Sequence, residues 1–202
     1  MAEKLGRMQL KRRRTWRALS SSAWELSVAK GPDRVTTEEI AAAAGVSTRT
    51  FFNYFLTKED AILGPILAIG SDELVDLRQA LLDRPADESP YQALFAAMTG
   101  EESTVAHRLS DHALRARLVK EHPSLLPRYL AAFAMLENTL SEALAERLGV
   151  DLAVDYFPHV IVASALAALR VIMHDWSGEP TSPDLTELIG DTFARLAKGN
   201  EF

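Results

Sequence analysis

The side chains with the clearest chemical potential lie in one short segment, where Arg49, Thr50 and Asn53 bring hydrogen-bonding groups together. Arg49 and Asn53 are four residues apart, so on an α-helix of about 100° per residue they share one face. The major groove of DNA admits one α-helix, and polar side chains on such a face can bind base edges. The spacing therefore indicates a surface that recognises nucleic acid.

The apolar residues of this segment predict the helix that carries those side chains. Phe51 and Phe55 are also four apart and fall on the side opposite Arg49, which makes them the buried stripe. Ser47 is a suitable N-cap, so a helix is expected over residues 48–55 with Phe52 on its flank. A buried aromatic stripe under a polar outer face is typical of a recognition helix.

A second helix is predicted immediately before it. Thr36 and Glu39 have the spacing of a capping box, in which a hydroxyl and a carboxylate satisfy each other's backbone N–H groups. Ile40 and four consecutive alanines follow, and Gly45 ends the helix because it can adopt positive φ. Two helices joined by this turn form a helix-turn-helix motif. The alternative is a plain helical hairpin inside a larger bundle.

Residues 35–55, followed by Thr57-Lys58-Glu59, resemble the tetracycline-repressor (TetR) family of bacterial regulators. The capping threonines, Gly45-Val46-Ser47, the aromatic run and the trailing lysine occur in the family's order, over about the first 60 residues. Phe52 stands where the family commonly has Tyr, and Asn53-Tyr54 where an aromatic residue and His are frequent. These differences bear on the operator sequence rather than on the mode of docking.

The resemblance implies roles for individual residues. Base edges would be contacted by Thr48, Arg49, Thr50 and Phe52, and phosphates by Thr37, Asn53, Tyr54 and Lys58. It also implies a homodimer that places two recognition helices about one DNA turn apart on a palindromic operator. Double-stranded DNA is thus the expected macromolecular partner.

The charge distribution supports a contact with DNA at one end of the chain. The net charge is −6, but residues 1–58 carry eleven Lys/Arg and five Asp/Glu, whereas residues 59–202 carry eleven and twenty-three. A basic run, Lys11 with Arg12, Arg13 and Arg14, is expected at the start of a helix that follows a loose arm of residues 1–6. It either binds phosphates, which would steepen the salt dependence of binding, or forms a solvated surface.

The rest of the chain predicts an all-α protein of about nine helices, with a three-helix DNA-binding domain over 1–57 and a ligand-binding and dimerisation domain over 58–202. Residues 58–82 are expected to form one connecting helix, kinked at Pro65 and loosened at Gly70. Leucines and aromatics at three- and four-residue spacing predict a helix over 126–148. Further helices are expected over roughly 152–176 and, capped by Ser182, to the end of the chain.

The helix around residues 160–173 is apolar nearly all round, so it must be covered on more than one side. We expect it and the last helix to pair with their symmetry mates in a four-helix bundle. The 14-residue apolar run is shorter than the ~20 residues that a bilayer span requires, which favours a cytoplasmic protein.

Apolar side chains with small neighbours predict a ligand cavity between the C-terminal helices. Arg170 could anchor an anion there, because a cation in an apolar helix needs a partner, although that partner could instead be an aspartate of a neighbouring helix. The C-terminal part loosely resembles the TetR subgroup with an acyl-CoA-like ligand domain. The candidate lining residues are Phe95, Met98, Leu114, Leu118, Tyr129, Phe133, Leu166 and Arg170.

Motifs for catalysis or cofactor binding are absent from the sequence, which has no cysteine, no phosphate-binding loop and no G-x-S-x-G or H-E-x-x-H pattern. No cofactor and no metal site are therefore expected. The sequence predicts a regulator, most simply a repressor, that a small hydrophobic or acyl-bearing molecule releases from its operator. The alternatives are a helical adaptor without sequence-specific DNA binding and an enzyme with an apolar pocket, for which the sequence offers no convincing general base.

Overall fold

The computed structural model describes residues 2–64, 72–100, 105–176 and 182–199. These residues form ten α-helices and two 3₁₀ turns, with no strand among them, and the all-α prediction is confirmed. The helices are α1 Ala2–Lys30, α2 Thr37–Ala43, α3 Thr48–Phe52, α4 Lys58–Leu63, α5 Asp72–Leu82, α6 Pro90–Thr99, α7 Val105–Glu121, α8 Leu126–Leu148, α9 Phe157–Asp175 and α10 Leu185–Ala197. The 3₁₀ turns are Pro32–Arg34 and Pro123–Leu125.

Helices α1 to α4 form the core of a first compact unit, which comprises residues 1–67 and 122–129. Helix α1 packs against α2 and α4, and α2 packs against α3. Leu19 of α1, Ile40 of α2, Phe51 of α3 and Ile62 of α4 are fully buried. Each of these burials stabilises the unit by roughly 1.5–3 kcal/mol, so one shared apolar core fixes the positions of all four helices.

Helix α1 begins earlier than the sequence predicted. Residues 2–6 are helical rather than a loose arm, and Lys11 is therefore the tenth residue of α1. The basic run consequently lies well inside the helix. It does not experience the unfavourable end of the macrodipole, which acts only on the first turn.

The second compact unit comprises residues 68–121 and 130–202. Helices α6, α7, α9 and α10 pack on one another, and α5 packs on α6. The hydroxyls of Tyr91 and Ser164 lie 2.8 Å apart and join α6 to α9. Helix α9 is the one described helix whose length and apolar composition would also suit a membrane span, and it packs against three neighbouring helices.

The prediction of one helix over 58–82 was wrong. Helix α4 ends at Leu63, where Gly64 follows with φ +23°, and α5 is a separate helix that begins at Asp72. The expected kink at Pro65 and Gly70 lies outside the described residues. The recognition helix ends at Phe52 instead of Phe55, since the N–H groups of Asn53 and Tyr54 donate to carbonyls three residues back.

Two further helix starts differ from the predictions. Helix α9 begins at Phe157 rather than near residue 152, because Asp151 and Asp155 accept hydrogen bonds from backbone N–H groups two residues ahead and hold a turn there. Helix α10 is capped by Asp184, which accepts from the backbone N–H of Glu187, and not by Ser182. The domain boundary after residue 57 stays a prediction.

Candidate nucleic-acid interface

The helix-turn-helix begins with the predicted capping box. Thr36 Oγ1 accepts from the Glu39 N–H at 3.3 Å, and the Glu39 carboxylate accepts from the Thr36 N–H at 3.0 Å. The Lys30 ammonium also donates to Glu39, and these hydrogen bonds hold the pKa of that carboxyl below its usual range. Helix α2 thus starts at a defined residue next to the end of α1.

The turn between α2 and α3 is fixed by backbone hydrogen bonds. Gly45 has φ +68°, and the N–H groups of Gly45 and Val46 donate to the carbonyls of Ala42 and Ala41 at 3.1 and 2.9 Å. Ser47 then caps α3, with its Oγ accepting from the Thr50 N–H at 3.1 Å. These hydrogen bonds satisfy backbone groups at the end of α2 and the start of α3, and they fix the orientation of the recognition helix.

Aromatic packing holds α3 from below. Phe51 is fully buried, Phe55 is nearly so, and their rings lie 5.8 Å apart. The ring of Trp16 in α1 lies 5.7 Å from that of Phe55. The side of α3 opposite these rings is consequently the side that faces solvent.

The structure brings most of the predicted DNA-contacting residues to the surface of the first unit. Arg12, Arg13, Arg14, Arg49, Phe52 and Asn53 are exposed, and Thr37, Thr48, Thr50 and Tyr54 are half-buried. The Thr50 hydroxyl shares a 2.9 Å hydrogen bond with Ser47 Oγ, and Thr37 donates to Glu38 at 3.2 Å. Arg49, Phe52 and Asn53 therefore form an outer face that mixes charged, apolar and amide groups.

An open cleft of about 680 Å³ lies between α1 and the helix-turn-helix. Its walls come from three elements of the same compact unit. Two of its lining residues are cationic and none is acidic, so the cleft favours an anion. The lining residues are Lys11, Arg12, Thr15, Gly45, Val46, Thr50, Asn53 and Tyr54.

The structure gives Lys58, a predicted phosphate contact, a second role inside the first unit. Its ammonium donates to the backbone carbonyls of Pro32, Asp33 and Val35 at 3.0, 3.2 and 2.9 Å. An ammonium has three N–H donors, so these carbonyls account for all of them. Lys58 therefore ties the start of α4 to the turn before α2, and its contact with a DNA phosphate stays a prediction.

Sequence reasoning missed a second group of contacts at the same turn. Ser124 Oγ donates to Asp33 at 2.8 Å, and His122 Nδ1 lies 3.8 Å from the other oxygen of that carboxylate. Arg128, in the first turn of α8, lies 3.7 Å from Asp60 of α4. The partners are up to 91 residues apart, and no local pattern in the sequence signals such a pairing.

The candidate ligand contacts are only partly brought together. Leu118 and Leu166 are buried and Phe95, Met98 and Phe133 are half-buried in the second unit, whereas Tyr129 is buried in the first. Leu114 and Arg170 are exposed, so Arg170 does not lie in the apolar interior of this unit, and its role as an anchor for an anion stays a prediction. The side chain of Arg170 lies on the exposed side of α9, although the residues next to it in the sequence are apolar.

Among the described residues of the second unit, the buried cation is Arg115 of α7, which is 5% exposed. Burial lowers the pKa of its guanidinium to about 10, and the Asp111 carboxylate one turn earlier opposes that shift. The apolar pattern of the sequence did not predict that Arg115 is buried. Leu114 and Leu118 were expected to face inward instead, which would place Arg115 on another side of α7.

The geometry defines a helix-turn-helix DNA-binding unit joined to a separate helical unit. The model of bacterial regulatory proteins of the tetR family matches residues 19–62, and that of the MftR C-terminal domain matches residues 88–201. The HTH-type transcriptional regulator TcmR of Streptomyces glaucescens is 39% identical over an alignment of 181 residues that covers 85% of this chain and 76% of the relative. The chain belongs to the TetR family and is a DNA-binding transcriptional regulator.

Two other similarities bear on the C-terminal unit. MftR of Mycobacterium tuberculosis, named as a regulator of mycofactocin biosynthesis, is 28% identical over 90% of this chain and 88% of its own length. The structure of Thermus thermophilus FadR in complex with lauroyl-CoA is 21% identical, covers 93% of this chain and 95% of that one, and has a TM-score of 0.53. This last likeness shows a shared fold.

Proposed function

We propose that the protein is a cytoplasmic homodimeric repressor that binds a palindromic operator and leaves it when a small acyl-bearing effector binds the C-terminal unit. The observation that carries the DNA-binding part is the exposed Arg49, Phe52 and Asn53 face of α3, held over buried Phe51. A groove-binding helix needs such a rigid support, because phosphate and base contacts must form together. We also propose that the protein is not an enzyme.

The dimer is supported by the outer surface of α9. Phe157, Val160 and Val171 are each about 60% exposed on a helix whose other side is buried. The exposed positions of α10 are more polar and include Glu187, Asp191 and Arg195. We therefore expect α9 to supply the apolar centre of the dimer interface and α10 its polar edge.

The effector class is supported by apolar side chains on three packed helices of the second unit. Phe95 of α6, Leu118 of α7 and Leu166 of α9 are half-buried or buried, and α9 packs against both α6 and α7. Met98 and Phe133 extend this set, and flexible or planar apolar groups suit an acyl chain. Lauroyl-CoA, the molecule bound by the Thermus thermophilus regulator, is the natural first probe.

DNA binding is tested by fluorescence anisotropy of the purified full-length protein on the DNA upstream of its own gene, against a scrambled duplex, across a salt series. We expect selective binding whose affinity falls steeply with salt, since each neutralised phosphate contributes about 0.9 to the log–log slope. Equal and weak binding to both duplexes would reject sequence-specific regulation. Such a result would favour the adaptor hypothesis.

Release is tested by adding lauroyl-CoA to the preformed complex. We expect lower apparent affinity for the operator, because an effector that prefers the DNA-free state shifts the population towards it. Free coenzyme A and lauric acid serve as matched controls for the two halves of the probe. Unchanged DNA binding with acyl chains of any length from four to eighteen carbons would remove this effector class.

A further inference from the structure

The second compact unit holds a buried cation that neither the DNA-binding surface nor the proposed dimer interface uses. Arg115 of α7 is 5% exposed. Leu118 and Val119, three and four residues later, lie on the same face of the helix and are also buried. The guanidinium is therefore held in the interior of the unit, on a face that is otherwise apolar.

The burial of this charge is costly for stability. A buried ion pair often contributes no more to folding than apolar side chains of similar volume would. Burial lowers the pKa of Arg115 to about 10, and the Asp111 carboxylate, one turn earlier, opposes that shift without cancelling it. A buried ionisable group with a perturbed pKa is typical of a functional site.

Further cations lie where α7 and α9 pack on each other. Burial lowers the pKa of His174, and the charges of Lys120 on α7 and Arg170 on α9 lower it further. The Asp175 carboxylate opposes this shift. Residues 59–202 carry twenty-three Asp/Glu against eleven Lys/Arg, so this concentration of cations is local. Lys120 follows Arg115 by about 7.5 Å along the axis of α7, and the combined potential favours an anion.

We propose that the effector carries one carboxylate on an apolar body, and that Arg115 binds this carboxylate inside the second unit. The inference rests on the proposed effector binding and narrows it, because the group that is recognised belongs to a free acid and not to its coenzyme A thioester. A guanidinium matches a carboxylate through two parallel hydrogen bonds, and with five N–H donors it can bind the ligand while it keeps Asp111. Leu118 and, on the adjacent helix α9, Leu166 contact the apolar body.

The test compares saturated fatty acids with their primary amides, in the chain lengths used for the release experiment. Each pair shares its acyl chain and differs in charge. Isothermal titration calorimetry of the full-length protein should show that the acid binds roughly 10- to 150-fold more tightly than its amide, because hydrogen bonds to a charged group are the stronger ones. Lauric acid should also release the operator at a lower concentration than lauroyl-CoA.

Variants of Arg115 separate recognition of the carboxylate from support of the fold. Arg115→Gln should weaken binding of the acid and leave binding of the amide unchanged, whereas loss of a purely structural arginine would weaken both equally. Arg115→Lys should keep part of the preference for the acid, because it retains the charge but lacks the planar fork. Arg117→Gln is the matched control, since Arg117 is exposed on another side of α7 and pairs with Glu121. It should keep the full preference.

The outcomes distinguish this inference from the function on which it rests. Failure of the ligand-free protein to prefer its upstream DNA over the scrambled duplex would overturn the DNA-binding part of the proposed function, and calorimetry without DNA would still test Arg115. Release by lauroyl-CoA, with equal affinities for acids and amides, would overturn the carboxylate assignment and leave the proposed effector class intact. An acid preference that is unchanged in folded Arg115→Gln, or in Arg115→Lys, would overturn the role of Arg115. Circular dichroism and urea unfolding of each variant check that the helices are intact.

Discussion

Replacing Arg49 with alanine should remove most of the protein's preference for its operator. Arg49 lies in the first turn of α3, is exposed, and shares its face with Asn53. An arginine that binds guanine through two hydrogen bonds contributes roughly 1–3 kcal/mol of discrimination, or about 5- to 150-fold in relative affinity. A dimer would lose this at both half-sites. The measurement is the ratio of the dissociation constants for upstream and scrambled DNA.

Arg49→Lys is the control that separates base recognition from charge. Lysine keeps the positive charge but lacks the planar fork of donors, so we expect it to lose discrimination while it keeps the salt slope of wild type. Equal weakening of Arg49→Ala on both duplexes, with discrimination intact, would show that Arg49 binds phosphate. The base-reading role would then have to fall to Thr48, Thr50 or Phe52.

The helix-turn-helix could be predicted because its determinants are local. The pairing of Thr36 with Glu39, the positive φ at Gly45 and the Ser47 cap each depend on residues within four positions. Hydrogen bonds between residues this close in the chain form without help from distant residues, so they can be predicted from the local sequence. The long periodic helix α8 was predicted at its observed bounds, 126–148, for a related reason. When apolar residues repeat at helical spacing over many turns, only one side of the helix can face the core.

Features that depend on distant residues could not be predicted. The three carbonyls bound by Lys58 become acceptors only once the turn at residues 32–35 has packed beside α4. Asp33 meets Ser124 through a chain separation of 91 residues. Family resemblance assigned Lys58 to phosphate, and only the packed structure shows where its ammonium is held.

The burial of the candidate ligand-binding side chains was harder to predict, because an apolar sequence does not show which side of a helix faces the core. Residues 160–173 contain one charge, Arg170, and composition alone suggested that this charge was enclosed. The structure buries Ile161, Val162 and Leu169 and leaves Arg170 outside. On α7 the opposite error occurred, since Arg115 is buried while Leu114 is exposed. A helix covered by several neighbours has no single polar stripe that could fix its rotation.

Substitution of Gly64 by alanine should strongly destabilise the first unit. A Cβ at this position would lie 1.9 Å from Ser20 Oγ and 3.0 Å from Ser20 Cβ. Ser20 Oγ is buried and donates to the Ala61 carbonyl at 3.0 Å, so the hydroxyl cannot move without leaving that acceptor unsatisfied. Steric displacement, the lost hydrogen bond and the positive φ each contribute about 1–3 kcal/mol, which gives a loss of at least about 3 kcal/mol.

Gly45→Ala isolates the conformational part of that loss. Gly45 also has positive φ, at +68°, but a Cβ there meets no atom within 4 Å in the described structure. We expect Gly45→Ala to cost about 1–2 kcal/mol and Gly64→Ala clearly more, as measured by urea unfolding at fixed protein concentration. Adding Ser20→Ala should recover part of the Gly64→Ala loss, because it removes the closest atom. Equal losses for the two glycine variants would show that Ser20 yields freely, and α1 would then be less tightly packed on α4 than the distances indicate.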